Sequence, residues 1–283
     1  MKFTNQDVQN YYDQTAVHYE YFWNLDQSMA LHYGIWRKGI KSFGEALAQT
    51  NIELAAKAEI KATDRVLDAG CGVGGSSVFL AKNIGCQVVG VTLSQQQVER
   101  AYANAEKNNV KDLVNFHQRD YCDTGFEAAS FDVIWGIECH LTESSKEKFV
   151  KEASRLLKPG GRLIIAEYFL TKEKMSKSQD KHLRVWLNNE SIADMVTVRE
   201  YENWLTRNSF ENLEVEDITK EITPSARRMF FAAMLGGIGT KYYNWFVKKA
   251  SYFSRVHYKA QLAQYRSLRR GAWTYQIVLA KKK

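Results

Sequence analysis

An α/β fold, a mostly parallel sheet with helices on both faces, is predicted for this 283-residue chain by three observations. Strand-like apolar runs alternate with helix-like runs from Arg65 to Glu167. One strand end enters a glycine-rich turn, Val66-Leu67-Asp68-Ala69-Gly70-Cys71-Gly72-Val73-Gly74-Gly75, with a helix-like segment behind it. Farther on, Leu156-Leu157-Lys158-Pro159-Gly160-Gly161 stops a helix and turns the chain into another strand. Such alternation gives βαβ units with right-handed crossovers, and ligands then lie beyond the carboxyl ends of the strands.

In chain order, residues 5–24 hold Tyr11, Tyr12, Tyr19, Tyr21, Phe22 and Trp23 at helical spacing, with Tyr12 and Tyr19 on one face. Leu31-His32-Tyr33-Gly34-Ile35-Trp36 follows, bent at Gly34. These aromatics suit either core or an apolar lid. A helix is predicted over 40–58, then strands at 65–69, 87–92, 113–118, 131–135 and 161–168, with helices at 76–83, 95–108 and 144–157. Residues 171–180 are polar and Lys-rich and read as a loop. Helix-like segments carrying Trp186, Tyr201 and Trp204 come next, then a sixth strand over 210–219 and a seventh over 271–280. The long stretch between the last two strands is helical and apolar over 224–270, with Met229, Phe230, Phe231, Met234, Trp245, Phe246 and Phe253. A connection of that length calls for a function: a cap over an apolar pocket, a dimer contact or a membrane-surface helix. The predicted organisation is an N-terminal helical lid over 1–60, a ligand-binding core over 61–170, and the rest of the core with its cap over 171–283.

Composition is that of a globular protein, with 45% hydrophobic and 25% charged residues. Cys71, Cys86, Cys122 and Cys139 are scattered without a C-x-x-C pair, which predicts free thiols in a reducing compartment and no metal site. The start Met1-Lys2-Phe3-Thr4-Asn5-Gln6-Asp7 has no signal-like apolar run, and a cytoplasmic location is expected. The net charge of +7 is uneven, because residues 241–283 contain Lys and Arg but no Asp or Glu. A solvated helix face or an anionic partner both account for that.

The glycine turn admits two ligand classes. Gly70-x-Gly72-x-x-Gly75 fits a dinucleotide fingerprint loosely, but Asp68 would repel a pyrophosphate, and the next strand end, Val91-Thr92-Leu93-Ser94, lacks the ribose-binding acid. A carboxylate before the first glycine instead attracts an ammonium or sulfonium group. A nucleic-acid enzyme is suggested only by positive charge, and no Asn/Asp-Pro-Pro-aromatic motif is present.

Leu67-Asp68-Ala69-Gly70-Cys71-Gly72-x-Gly74 strongly resembles the first motif of class I S-adenosylmethionine (SAM) methyltransferases. Gly90-x-Thr92-x-Ser94-x-x-Gln97 resembles the enzymes that methylate sterols, tocopherols and cyclopropane fatty acids, and Phe131-Asp132-x-x-x-Gly136-x-Glu138-x-His140 resembles the tocopherol and sterol enzymes with a shorter acid-to-histidine gap. The resemblance implies a Rossmann-like seven-stranded, mostly parallel sheet with a cap inserted between strands 6 and 7, and SAM as cofactor. It implies cofactor contacts from Asp68, Gly70, Gly72 and Gly74, ribose contacts from Thr92, the Leu93 backbone and Gln97, and adenine contact from Asp120, with Tyr121 and Ile137 beside them. Tyr12, Tyr19 and Trp36 are candidates to face the sulfonium by cation–π attraction. Glu138, His140 and Tyr19 are the candidate catalytic groups, with His140 open to a helix-cap or core role. The acceptor is expected to be small and lipophilic, of isoprenoid, sterol or quinol type, with C-methylation favoured over N- or O-methylation of a polar amine or phenol. No nucleic-acid partner is expected; peripheral membrane contact through the basic C-terminal region and a homodimer are compatible with the pattern.

Overall fold

The computed structural model describes Thr4 and residues 25–139, 146–190, 192, 195–246 and 252–283. Its centre is a seven-stranded sheet in the order β3-β2-β1-β4-β5-β7-β6. The strands are β1 Arg65–Ala69, β2 Gln87–Thr92, β3 Val114–Gln118, β4 Phe131–Ile137, β5 Leu157–Leu170, β6 Phe210–Asp217 and β7 Trp273–Lys282. The first five run parallel to their neighbours; β7 lies antiparallel between β5 and the edge strand β6. Strand order reverses between β1 and β4, so the switch point falls at the carboxyl ends of β1 and β4.

The helices are α1 Phe43–Lys57, α2 Gly75–Ile84, α3 Gln95–Lys107, α4 Lys146–Leu156, α5 Lys177–Asn189, α6 Val198–Arg207, α7 Thr219–Phe246 and α8 Tyr252–Arg269. Local chemistry sets their starts. Ser42, Ser94, Ser176 and Thr197 each accept the amide three residues on, satisfying a donor the helix leaves open. Ser176 and Gln179 form a capping box, so α5 begins inside the stretch read as loop.

Two apolar layers sandwich the sheet. Val66, Val88, Val133, Trp135 and Ile164 face α1, α2 and the cap; Leu67, Val89, Ile134, Leu163 and Ile165 face α4 and α6. Alternation along the strands assigns the two faces.

Two details depart from the sequence reading. The Lys158-Pro159-Gly160-Gly161 stretch falls inside β5 but has no register partner in β4: Leu157 opposes Phe131 and pairing resumes at Arg162 opposite Val133, with Gly160 at φ +77°. Helix α7 starts at Thr219, ahead of the 224 boundary, and places Pro224 inside its first turns.

The insertion between β6 and β7 is helical, α7 and α8, as expected for a cap. Its root is tied to the segment before α1. Ser225 Oγ accepts from Gly34 N (3.2 Å) and Trp36 Nε1 (2.9 Å) and donates to Gly34 O (2.9 Å). Ile35 N donates to Ala46 O, and Thr50 Oγ1 donates to Tyr33 O, pinning the same segment to α1. At the other end, Glu190 joins α5 to α8 by accepting from Trp186 Nε1 and Gln261 Nε2, each at 2.7 Å, and burial lifts its pKa to about 7. Among the described residues no helix is long and apolar enough to cross a membrane.

Candidate active site

At the switch point β1 ends in Asp68 and Ala69 and the chain turns through residues 70–74 into α2. Gly70 N and Cys71 N both donate to Val91 O, locking the turn against β2. Gly70, Gly72 and Gly74 lie at φ +79°, +51° and +84°, where a side chain is strained. A Cβ on Gly70 would stand 2.5 Å from Cys139 Cβ, whereas one on Gly72 would meet only Leu31 Cδ1 at 3.7 Å. The bare turn forms the floor of a cleft lined among others by Asp68, Gly70, Gly72, Thr92, Leu93, Gln97, Tyr121, Ile137 and Glu138.

Asp68 is buried, accepts from Ser77 Oγ at 2.6 Å and has no cationic partner among the described residues. Burial raises its pKa to about 6 against the Ser77 bonds, so a positive group arriving in the cleft would favour its charged form. Thr92 Oγ1 donates to Gln97 Oε1 at 2.5 Å, and Tyr121 OH donates to the Cys139 carbonyl at 2.7 Å.

Glu138 follows β4 in a left-handed conformation, φ +51°, an uncommon backbone for a non-glycine residue. Its N–H donates to Ala166 O, and its carboxylate turns into the cleft wall. Oε1 accepts from Tyr33 N (2.6 Å) and Tyr275 OH (2.9 Å), and Oε2 from Tyr168 OH (2.5 Å). Three of about four acceptor positions are thus filled, and the remaining one is on Oε2. Although Glu138 keeps some surface toward the cleft, desolvation outweighs the three donors and raises its pKa to about 8, with Glu167 adding repulsion. The donors come from three elements: the segment before α1, β5 and β7. Tyr168 and Tyr275 are register partners across the antiparallel pair, with rings 5.0 Å apart at 89°.

Of the expected site residues, Asp68, Gly70, Gly72, Thr92, Leu93, Gln97, Tyr121, Ile137 and Glu138 share this one cleft. Three do not join it. Gly74 is packed away, where a Cβ would stand 2.9 Å from Ala101 Cβ and 3.0 Å from Phe116 Cζ. Asp120 Oδ1 accepts from Cys122 N at 2.7 Å, closing a local turn outside the cleft lining. Trp36 points to Ser225 at the cap root. Tyr12, Tyr19 and His140 lie outside the described residues. The sequence reading missed His32, Tyr33, Tyr168 and Tyr275; for the last two the available signal is their matching phase in two strands.

Comparison with known proteins agrees with this geometry. Residues 66–161 match a methyltransferase-domain family. The chain is 30% identical over 222 residues to the 27-O-demethylrifamycin SV methyltransferase of Amycolatopsis mediterranei, covering 78% of this chain and 80% of that protein. It is 31% identical over 217 residues to the sterol 24-C-methyltransferase of Saccharomyces cerevisiae, where the match covers 76% of this chain but 55% of the relative. Two solved structures share the fold: the cyclase SpnF, with TM-score 0.81 at 21% identity over 100% of this chain and 97% of that one, and a geranyl diphosphate methyltransferase bound to its diphosphate substrate and sinefungin, with TM-score 0.76 at 21% identity over 99% of each. The chain belongs to the class I SAM-dependent methyltransferases. It is an enzyme of that class, and SAM is its cofactor.

Proposed function

We propose that this enzyme methylates a carbon of a small lipophilic acceptor of the isoprenoid or sterol type, with Glu138 as the base. The observation that carries the reading is the buried Glu138 carboxyl, held by three donors in the cleft wall with a pKa near neutrality. A general base is most effective when its pKa lies near the working pH. Methylation of an unactivated carbon leaves a proton to be removed, and methylation of an amine needs no such group.

The residues fit the cofactor. The bare backbone at Gly70 and Gly72 admits close approach, Asp68 supplies an uncompensated carboxyl, and Thr92, Gln97 and the Leu93 backbone offer neutral partners for a ribose diol. When bound, SAM supplies an electrophilic methyl on a sulfonium. Tyr33, Tyr168 and Tyr275 keep Glu138 in one position, and the protein excludes water by burial around it. In this reading residues 1–60 act as lid, 61–170 as the cofactor-binding half, and the cap encloses the acceptor. The sterol and geranyl diphosphate enzymes named above support a lipophilic acceptor. The rifamycin relative favours the second reading, O-methylation, for which Glu138 would take a hydroxyl proton.

Transfer of labelled methyl from SAM into host extract, partitioned into lipid and aqueous phases, tests the proposal. Label is expected in the lipid phase; label confined to the aqueous phase overturns it. The exposed face of α7 supports lipid contact, since Arg227, Phe231, Met234 and Leu235 fall on one side of the helix and are solvent-exposed. Co-sedimentation with anionic vesicles at low salt is expected and should drop several-fold when Phe231, Met234 and Leu235 are changed to Ser. Equal binding by the variant would show that this face does not engage lipid.

A further inference from the structure

His32 lies in the wall of the same cleft, on the segment between the helical turn Leu25–Ser28 and α1. It is 6% exposed. Its Nδ1 lies 2.9 Å from the Tyr33 carbonyl oxygen. A carbonyl can only accept, so Nδ1 carries the proton. Desolvation lowers the ring's pKa to about 4, so at neutral pH the imidazole is uncharged and Nε2 holds a bare lone pair. That nitrogen is buried and has no hydrogen-bond partner among the described residues. Buried acceptors left without a donor are costly, and nearly all in folded proteins are satisfied. His32 is also fixed in orientation, because the Tyr33 carbonyl that holds it is itself held by Thr50 Oγ1.

We propose that His32 Nε2 is a built acceptor for a protic group, O–H or N–H, on the molecule that fills the cleft, and that His32 thereby sets specificity for a ligand carrying such a donor. The inference rests on the cleft being the methyl-transfer site. Protein atoms cover Nε2, and a ligand's O–H or N–H is no smaller than water, so the donor reaches it only where the cleft wall yields to the incoming group. The division of labour follows from the chemistry of the two side chains. Glu138 has a pKa suited to taking a proton, while His32 stays neutral through the whole working range and can only orient. Two sources offer the donor: the cofactor, through its ammonium or ribose hydroxyls, and the acceptor, through a hydroxyl.

Nitrogen-15 histidine spectra of the full-length protein test the proposal without turnover. The unprotonated His32 Nε2 signal is expected to move upfield, toward the hydrogen-bonded position, either on adding S-adenosylhomocysteine alone, which assigns the donor to the cofactor, or only after the lipid fraction of host extract is added as well, which assigns it to the acceptor. Variants give the second arm. His32→Phe removes the acceptor and His32→Gln restores one. If the cofactor donates, the Kd for S-adenosylhomocysteine rises about tenfold in the Phe variant and recovers in the Gln variant; if the acceptor donates, that Kd holds and transfer of label into extract falls about tenfold, again with recovery. A stationary Nε2 signal under both additions, in a protein whose other signals report S-adenosylhomocysteine binding, overturns the proposal and leaves the methyltransferase reading untouched. Absence of any binding would instead count against that reading.

Discussion

Glu138→Gln is expected to bind S-adenosylhomocysteine as the native protein does and to lose about a hundredfold to ten-thousandfold in methyl transfer, the range that a positioned general base contributes. The substitution preserves shape. The amide oxygen can accept from Tyr33 N and Tyr275 OH, and the amide nitrogen can donate to the Tyr168 oxygen, so the surrounding bonds survive. The proton-accepting oxygen does not. In the native enzyme the rate should climb with pH and level off above about 8, because the carboxyl acts only when ionised and burial has raised its pKa to that value. The variant's residual rate should not follow that rise. Stability runs the other way. Folding favours the neutral carboxyl, so its contribution is full below the ordinary pKa of 4.5 and is lost as pH rises through about 8. Urea midpoints of the native protein should therefore fall over that interval relative to those of the Gln variant. An unchanged rate in Glu138→Gln removes this residue from the mechanism.

Gly70→Ala should abolish cofactor binding and destabilise the fold by about 2–5 kcal/mol. Two costs combine. The left-handed backbone, φ +79°, disfavours any Cβ, and the added carbon would stand 2.5 Å from Cys139 Cβ, far inside contact distance. Relief requires the turn or the residues after β4 to move, and Glu138 is the immediate neighbour of Cys139. The separate costs can be told apart. Cys139→Gly in the Gly70→Ala background removes the collision but leaves the backbone strain, so it should recover part of the stability. Denaturation with and without S-adenosylhomocysteine reads both effects. Protection of Gly70→Ala equal to that of the native protein would show that the turn does not need bare backbone there.

The parallel half of the sheet is legible because each strand announces itself locally, by an apolar run that ends in a turn. The first strand is predicted and found over residues 65–69, and the second over 87–92. Cap helices between strands 6 and 7 are legible for a different reason: no hairpin needs so long an apolar connection. What stays hidden is whatever depends on register between distant segments. The location of Glu138 at a strand end can be read, but its partners Tyr168 and Tyr275 meet only because β7 returns antiparallel beside β5, after the whole insertion has intervened. His32 is one histidine in an aromatic stretch, and its bare nitrogen follows from a carbonyl contact that no spacing predicts. Two motif positions also have a role in the fold: Gly74 is small against Ala101 and Phe116, and Asp120 closes a local turn. Proline and paired glycines mark Lys158–Gly161 as a break, and the ladder with β4 is indeed interrupted there, resuming at Arg162 opposite Val133.

The Ser225 hydroxyl, bonded to Gly34 twice and to Trp36 once, joins parts of the chain nearly two hundred positions apart. At about 1 kcal/mol for each bond, parting them costs roughly 3 kcal/mol, comparable to a hundredfold change in population. The root of the insertion and the strip bearing His32 and Tyr33 are therefore latched together although they lie far apart in sequence. A change in chain length between β6 and Ser225 has to be matched near Gly34 for the latch to meet.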